Sequence, residues 1–173
     1  MSAPRVPPVE PGTRPELAVL EARIAAERGS LLKIYRVLLN SPTVAEGWLT
    51  FFTAIRQKTS IPARLRELAI LRVAVLNRAA YEFEAHLPHA RRAGIGEDII
   101  AALRQAREPL GVDDLDRAVL ELTDAMTREI EVPDALYRRL AERFGAKEMV
   151  ELIATIAAYN MVSRFLVALR IEP

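Results

Sequence analysis

The chain has 173 residues, enough for one compact core and too few for two large ones. Its 51% hydrophobic and 27% charged content is that of a globular protein, and the +1 net charge gives no electrostatic footprint for nucleic acid or an anionic membrane. There is no cysteine, so disulfides, zinc–thiolate sites, iron–sulfur clusters and thiol nucleophiles are excluded, and no glycine-rich phosphate loop occurs.

The first residues read MSAPRVPPVEPGTRPE, rich in proline and without an apolar run, which predicts a cytoplasmic start with no signal peptide. Residues 1–15 are expected to form a flexible arm, and residues 16–173 a single domain. Charges interrupt the apolar runs elsewhere before ~18 residues, so no membrane span is expected. Glu16 to Arg28 has Leu17, Leu20, Ile24 and Ala25 at helical spacing, closed by Gly29. A short helix follows from Leu31 to Leu39. Ser41-Pro42 caps and starts the next, which runs to about Lys58 with Val44, Trp48, Phe51, Phe52 and Ile55 inward. Ser60-Ile61-Pro62 repeats the device ahead of a helix over 62–77, apolar around most of its girth and therefore central. Helix 79–93 closes at Gly94-Ile95-Gly96, and Glu97–Arg107 is short and amphipathic. Asp113 and Asp114 place acids at the positive end of a helix reaching about Arg128. Pro133 starts a helix ending at Gly145, and a long apolar helix spans 147–169. The pattern predicts an all-α bundle of eight or nine helices.

One segment carries chemistry. AAYEFEAHLPHARRA, residues 79–93, holds both histidines, and Glu82, His86 and His89 fall on one side of the helix beside an apolar stripe of Phe83, Leu87 and Ala90. A carboxylate one turn before a histidine can fix its tautomer and leave the other ring nitrogen to exchange a proton near neutral pH. The plain alternative is a helix-surface pair worth a few tenths of a kcal/mol. Pro88 removes one helical hydrogen bond between the histidines and is expected to disturb the helix there. A metal held by Glu82, His86 and either His89 or Glu67 is a further alternative, although HExxH is absent; no metal is expected. Glu67 lies in the apolar helix, where it either pairs with Arg64 or Arg66 or sits buried beside another partner.

The run RELAILRVAVLNRAAYEFEAHLPHARRAGIGEDIIAALR resembles the carboxymuconolactone decarboxylase family, which includes the alkylhydroperoxidase-D-like proteins. The peroxidase branch has a glutamate, eleven residues, then Cys-x-x-Cys-x-x-x-His. Here Glu67 and His86 match, and the cysteine positions hold Ala79 and Glu82, so thiol peroxidase chemistry does not transfer. The Tyr81-Glu82-Phe83 form is similar to the cysteine-free, decarboxylase-like branch. The resemblance implies an all-α fold of the alkylhydroperoxidase-D type, association into homotrimers or homohexamers, and a small site near Glu67, Glu82 and His86.

The expected function is cofactor-free acid–base chemistry on a small organic acid or lactone, with decarboxylation and enolate protonation as the implied reaction. His86 would supply the proton, with Glu82 orienting it and Glu67 completing a relay. Tyr81, His89, Trp48, Phe52 and Arg72 are the expected substrate contacts; Arg78 and Arg164 are further candidates to hold a carboxylate. No cofactor, nucleic acid or membrane partner is expected. The competing reading is a non-catalytic oligomeric scaffold or small-ligand binder, and burial of Glu82 and His86 separates the two; a peroxidase-like activity using groups other than cysteine is a remote third.

Overall fold

The computed structural model describes residues 3–173, and the chain divides into two compact units. The first comprises the described residues up to Lys58 together with Leu169–Glu172; the second runs from Thr59 to Ala168. Among the described residues there are α-helices and short helical turns and no strand.

In the first unit a turn of 3-10 helix, Pro15–Leu17, leads into α1 (Ala18–Arg28), followed by α2 (Lys33–Leu38) and α3 (Pro42–Thr53). A π-helical turn, Ala54–Lys58, extends α3 to the end expected from sequence. Ser41 sits at the N-cap of α3, but its side chain makes no capping bond; its carbonyl accepts the Ala45 amide at 3.0 Å. The buried Arg28 side chain ties the three helices together, donating to Thr53 Oγ1 at 2.8 Å and Tyr35 Oη at 3.1 Å. The proline-rich arm has no helix before Pro15, and it is held by backbone bonds from Arg5 to Leu169 and from Val9 to Arg36, both 2.9 Å. The contacts therefore divide the chain after Lys58, whereas the sequence suggested a boundary after residue 15. Residues 1 and 2 of the expected arm lie outside the described residues.

The second unit contains α4 (Ala63–Leu76), α5 (Ala80–Arg92), α6 (Glu97–Arg104), α7 (Asp114–Asp124), α8 (Asp134–Ala141) and all but the last residue of α9 (Ala146–Leu169). A π-helical turn, Ala125–Glu129, continues α7. α4 is the centre: Leu68, Ala69, Ile70, Leu71 and Val73 are fully buried, and its main neighbours are α5 and α7. Two ion pairs fix α4 against α7. Arg64 donates to Asp116 at 2.7 and 3.0 Å, and Arg72 forks onto Asp124 at 2.5 and 2.6 Å. Both pairs have the same sequence offset, 52, so the two helices run parallel, locked about two turns apart. Ser60 does not cap α4, which starts at Ala63; instead its amide and hydroxyl donate to Glu151 on α9, and Lys147 donates to Ser60 Oγ. Lys147 and Ser60 hold the Glu151 carboxyl down to about 2. α5 runs unbroken through Pro88.

α9 has the length and apolar composition of a membrane span, more than the sequence reading allowed. Half of its apolar window is buried within the protein, and Tyr159, Asn160 and Ser163 on it make polar or ring contacts to the rest of the second unit. Those are the properties of a core helix.

Candidate active site

Three helices of the second unit bring one polar cluster together. α4 supplies Glu67, α5 supplies Glu82 and His86, and α9 supplies Tyr159 and Ser163. Glu67 is 4% exposed, Glu82 3% and His86 6%, so none of them lies on a solvated face. The surface-pair alternative is thereby removed.

The histidine's carboxylate partner comes from α4. His86 Nδ1 lies 2.7 Å from Glu67 Oε2. Burial pushes the Glu67 carboxyl up, but the His86 hydrogen bond and the charges of His86, Arg66 and His89 outweigh it, and the group is held below the usual carboxylate range. Glu67 is thus an anion near neutral pH and can only accept, so Nδ1 carries the proton it donates. Arg66 Nε stands 3.5 Å from the other Glu67 oxygen, so both sequence alternatives for Glu67 hold at once.

Glu82 has a different fixed partner. The fully buried Ser163 hydroxyl donates to Glu82 Oε2 at 2.8 Å. At Nδ1 an orienting carboxylate is supplied by Glu67, from a helix 19 residues earlier. Tyr159, also buried, sets its ring at 89° to the imidazole with centroids 5.1 Å apart. Sequence reasoning missed Ser163 and Tyr159. Their signal was a run of polar side chains, Tyr159, Asn160 and Ser163, inside the most apolar helix.

The expected substrate contacts fall in different places. His89 is half-buried, its ring 5.5 Å from that of His86, and its Nδ1 lies 2.8 Å from Arg92 Nη2. A guanidinium only donates, so that nitrogen is an acceptor. Tyr81 is half-buried on α5, one residue before Glu82. Trp48 and Phe52 belong to the first unit, where their rings lie 5.0 Å apart. Arg72 is a correction: its guanidinium is clamped on Asp124, with a further bond to the Arg107 carbonyl, and is not available as a substrate hook. Arg164 is also engaged, donating to Asn160 Oδ1 at 2.8 Å. Among the described residues no group of three or more metal-ligand side chains could hold a metal ion.

Fold and site together define a helical protein with a buried carboxylate–imidazole pair where two helices meet a third. A match to the carboxymuconolactone decarboxylase family covers residues 42–125, which include Glu67, Glu82 and His86. The uncharacterized protein YdfG of Bacillus subtilis is 30% identical over 115 residues, 65% of this chain and 78% of its own. The chain belongs to the carboxymuconolactone decarboxylase family. Solved structures share its fold. A protein of unknown function from Agrobacterium tumefaciens, of AhpD type, is 26% identical with a TM-score of 0.70, covering 78% of this chain and 93% of that one. The AhpD core of a peroxidase-related protein from Ralstonia eutropha has a TM-score of 0.84 at 16% identity, covering 100% and 93%. The debrominase Bmp8 has a TM-score of 0.78 at 18% identity, covering 98% and 91%. The last two likenesses speak to fold alone.

Proposed function

We propose that this chain is a cofactor-independent acid–base enzyme acting on a small organic acid or lactone, with His86 as the proton-transferring group. One observation carries the reading: a buried imidazole held at Nδ1 by a buried, ionised carboxylate 2.7 Å away. Burying two carboxylates and an imidazole costs several kcal/mol of desolvation, and apolar residues of similar volume would stabilise the core at least as well. A purely structural role gives no account of that cost.

In decarboxylation the bond from the α-carbon to the substrate carboxylate breaks. Carbon dioxide leaves, and the electron pair stays on the α-carbon as an enolate conjugated with a neighbouring carbonyl. His86 Nε2–H then delivers its proton to that carbon and is re-protonated from water. Glu67 remains an anion throughout and fixes the ring. Glu82, held by Ser163, is a second buried carboxylate one turn away on α5 that can take or return a proton. With Ala79 and Glu82 at the cysteine positions, none of this draws on thiol chemistry.

The test is a screen of lactones and carboxylated unsaturated acids, read by carbon dioxide release and by proton exchange at the α-carbon. On any substrate found, His86→Ala is expected to lower kcat by about 10²-fold or more with the helical circular dichroism intact. Wild-type turnover by that variant overturns the proposal.

A further inference from the structure

The junction of α4 and α5 opens a second feature, a recess of about 310 Å³ in the second unit. Its floor is small and apolar: Ala74, Val75, Ala79 and Ala80, with Phe83 as a wall. Its polar lining is Arg78, Glu84 and Arg104. Arg104 lies over the Phe83 ring, 4.6 Å from its centroid, and is ion-paired with Glu84. Those two charges cancel. Arg78 is different: it is exposed, and among the described residues its guanidinium has no ion-pair or hydrogen-bond partner. The recess therefore combines an apolar floor with one uncompensated positive charge.

We propose that this recess is the subsite for the carboxylate end of a small organic acid, with Arg78 as the residue that binds it. Three arguments converge. The guanidinium fork matches a carboxylate in geometry and charge. The other two arginines with a claim to that role are already engaged, Arg72 by Asp124 and Arg164 by Asn160. The recess also shares α5 with the reacting groups: Phe83 in its wall follows Glu82 directly and lies about one turn from His86, although Glu67, Glu82 and His86 are not among its lining residues. An acid anchored at Arg78 lays its apolar body on Ala79 and Phe83. A volume near 300 Å³ is at the small end of ligand sites and suits a compact acid. The identity of the acid turned over rests on the acid–base reading; the anchoring of a carboxylate does not.

The backbone supplies a clean test variant. Arg78 has φ of 57°, the left-handed region that favours glycine, so Arg78→Gly removes the guanidinium without straining the chain. The probe is benzoate, with benzamide as its uncharged isostere, followed by calorimetry and by the backbone amide signals of Ala79, Ala80 and Phe83. Wild type is expected to bind benzoate with those amides shifting, and Arg78→Gly to weaken it by about 10- to 100-fold, the loss of one charged hydrogen-bonding partner. Benzamide is expected to bind wild type and variant alike. Equal benzoate affinity in wild type and Arg78→Gly overturns the assignment. So does benzamide binding wild type as tightly as benzoate, absence of benzoate-dependent shifts at these amides, or loss of benzoate with Arg104→Ala while Arg78→Gly retains it. His86→Ala is expected to keep benzoate binding, so an inactive site and a missing anchor give different results.

Discussion

Glu67 and Glu82 are both buried carboxylates, yet their surroundings give them different duties. Glu67 faces an imidazole and a guanidinium and is held as an anion; Glu82 faces a serine hydroxyl. The Glu67 pairing has a consequence for stability against pH. Its carboxyl titrates below the ordinary 4.5 in the folded chain, so its contribution is fully present above that value and is lost as pH falls through the lowered one. Wild type is therefore expected to exceed Glu67→Gln in urea-unfolding free energy at pH 5, and the margin is expected to shrink on acidification below 4.5. A margin that does not change with pH means that the pair is not ionic. The sequence made half of this arrangement readable. The family resemblance brought Glu67, Glu82 and His86 together, but helical periodicity pointed to Glu82 as the partner of His86, because it detects neighbours one turn apart. The actual partner at Nδ1 is 19 residues away and arrives only when α4 and α5 fold back on each other through Asn77-Arg78-Ala79. Ser163 lies 81 residues from Glu82, beyond any local pattern.

At the scale of elements, caps and charges set the positions that the site needs. Nine α-helices among the described residues follow the order expected from proline, glycine and apolar spacing, with ends shifted by a few residues. What the spacing left open was which helices touch. α4 and α7 run parallel because Arg64–Asp116 and Arg72–Asp124 repeat at one offset, and charge alone could not select those pairs from 24 basic and 23 acidic side chains. α7 must also start in the right place for Asp116 to meet Arg64. Asp113 fixes that start: its side chain accepts the Asp116 amide at 2.7 Å, one of the orphan donors of the first turn. Asp113→Ala is expected to cost about 1 kcal/mol, within a range of roughly 0.5–2. For a chain of this size that lowers Tm by about 2–4 °C per kcal/mol. Calorimetry on Asp113→Ala and Asp113→Asn distinguishes the cause. Asparagine retains a capping oxygen and is expected to recover most of the loss; if it recovers none, the capping bond is not what positions α7.

At the scale of the whole molecule, the surface of α9 argues for assembly. Val150 is 66% exposed and Met161 43%, on a helix otherwise apolar enough to be core. With Ala154, Ala157 and Ala168 they recur at spacings of three, four and seven residues, so all five fall within about 60° around the helix. The interior side of α9 is occupied by Tyr159, Asn160 and Ser163, so this stripe is a second, outward apolar face. Its small residues allow another helix to approach closely. A stripe of this kind left in water is the mark of an interface, and a second copy of the same stripe is self-complementary about a symmetry axis. The chain is therefore expected to run as a homo-oligomer, with a light-scattering mass at a multiple of 19.3 kDa at micromolar concentration. Met161→Glu places a charge in the middle of the stripe and is expected to shift the mass toward one chain while keeping the helical circular dichroism. Ser163 lies two residues further on the same helix and holds Glu82, so a shift of α9 is expected to loosen one wall of the site. The variant is expected to lose turnover along with mass. A monomeric wild type defeats the argument, and a Met161→Glu protein of unchanged mass moves the interface away from α9.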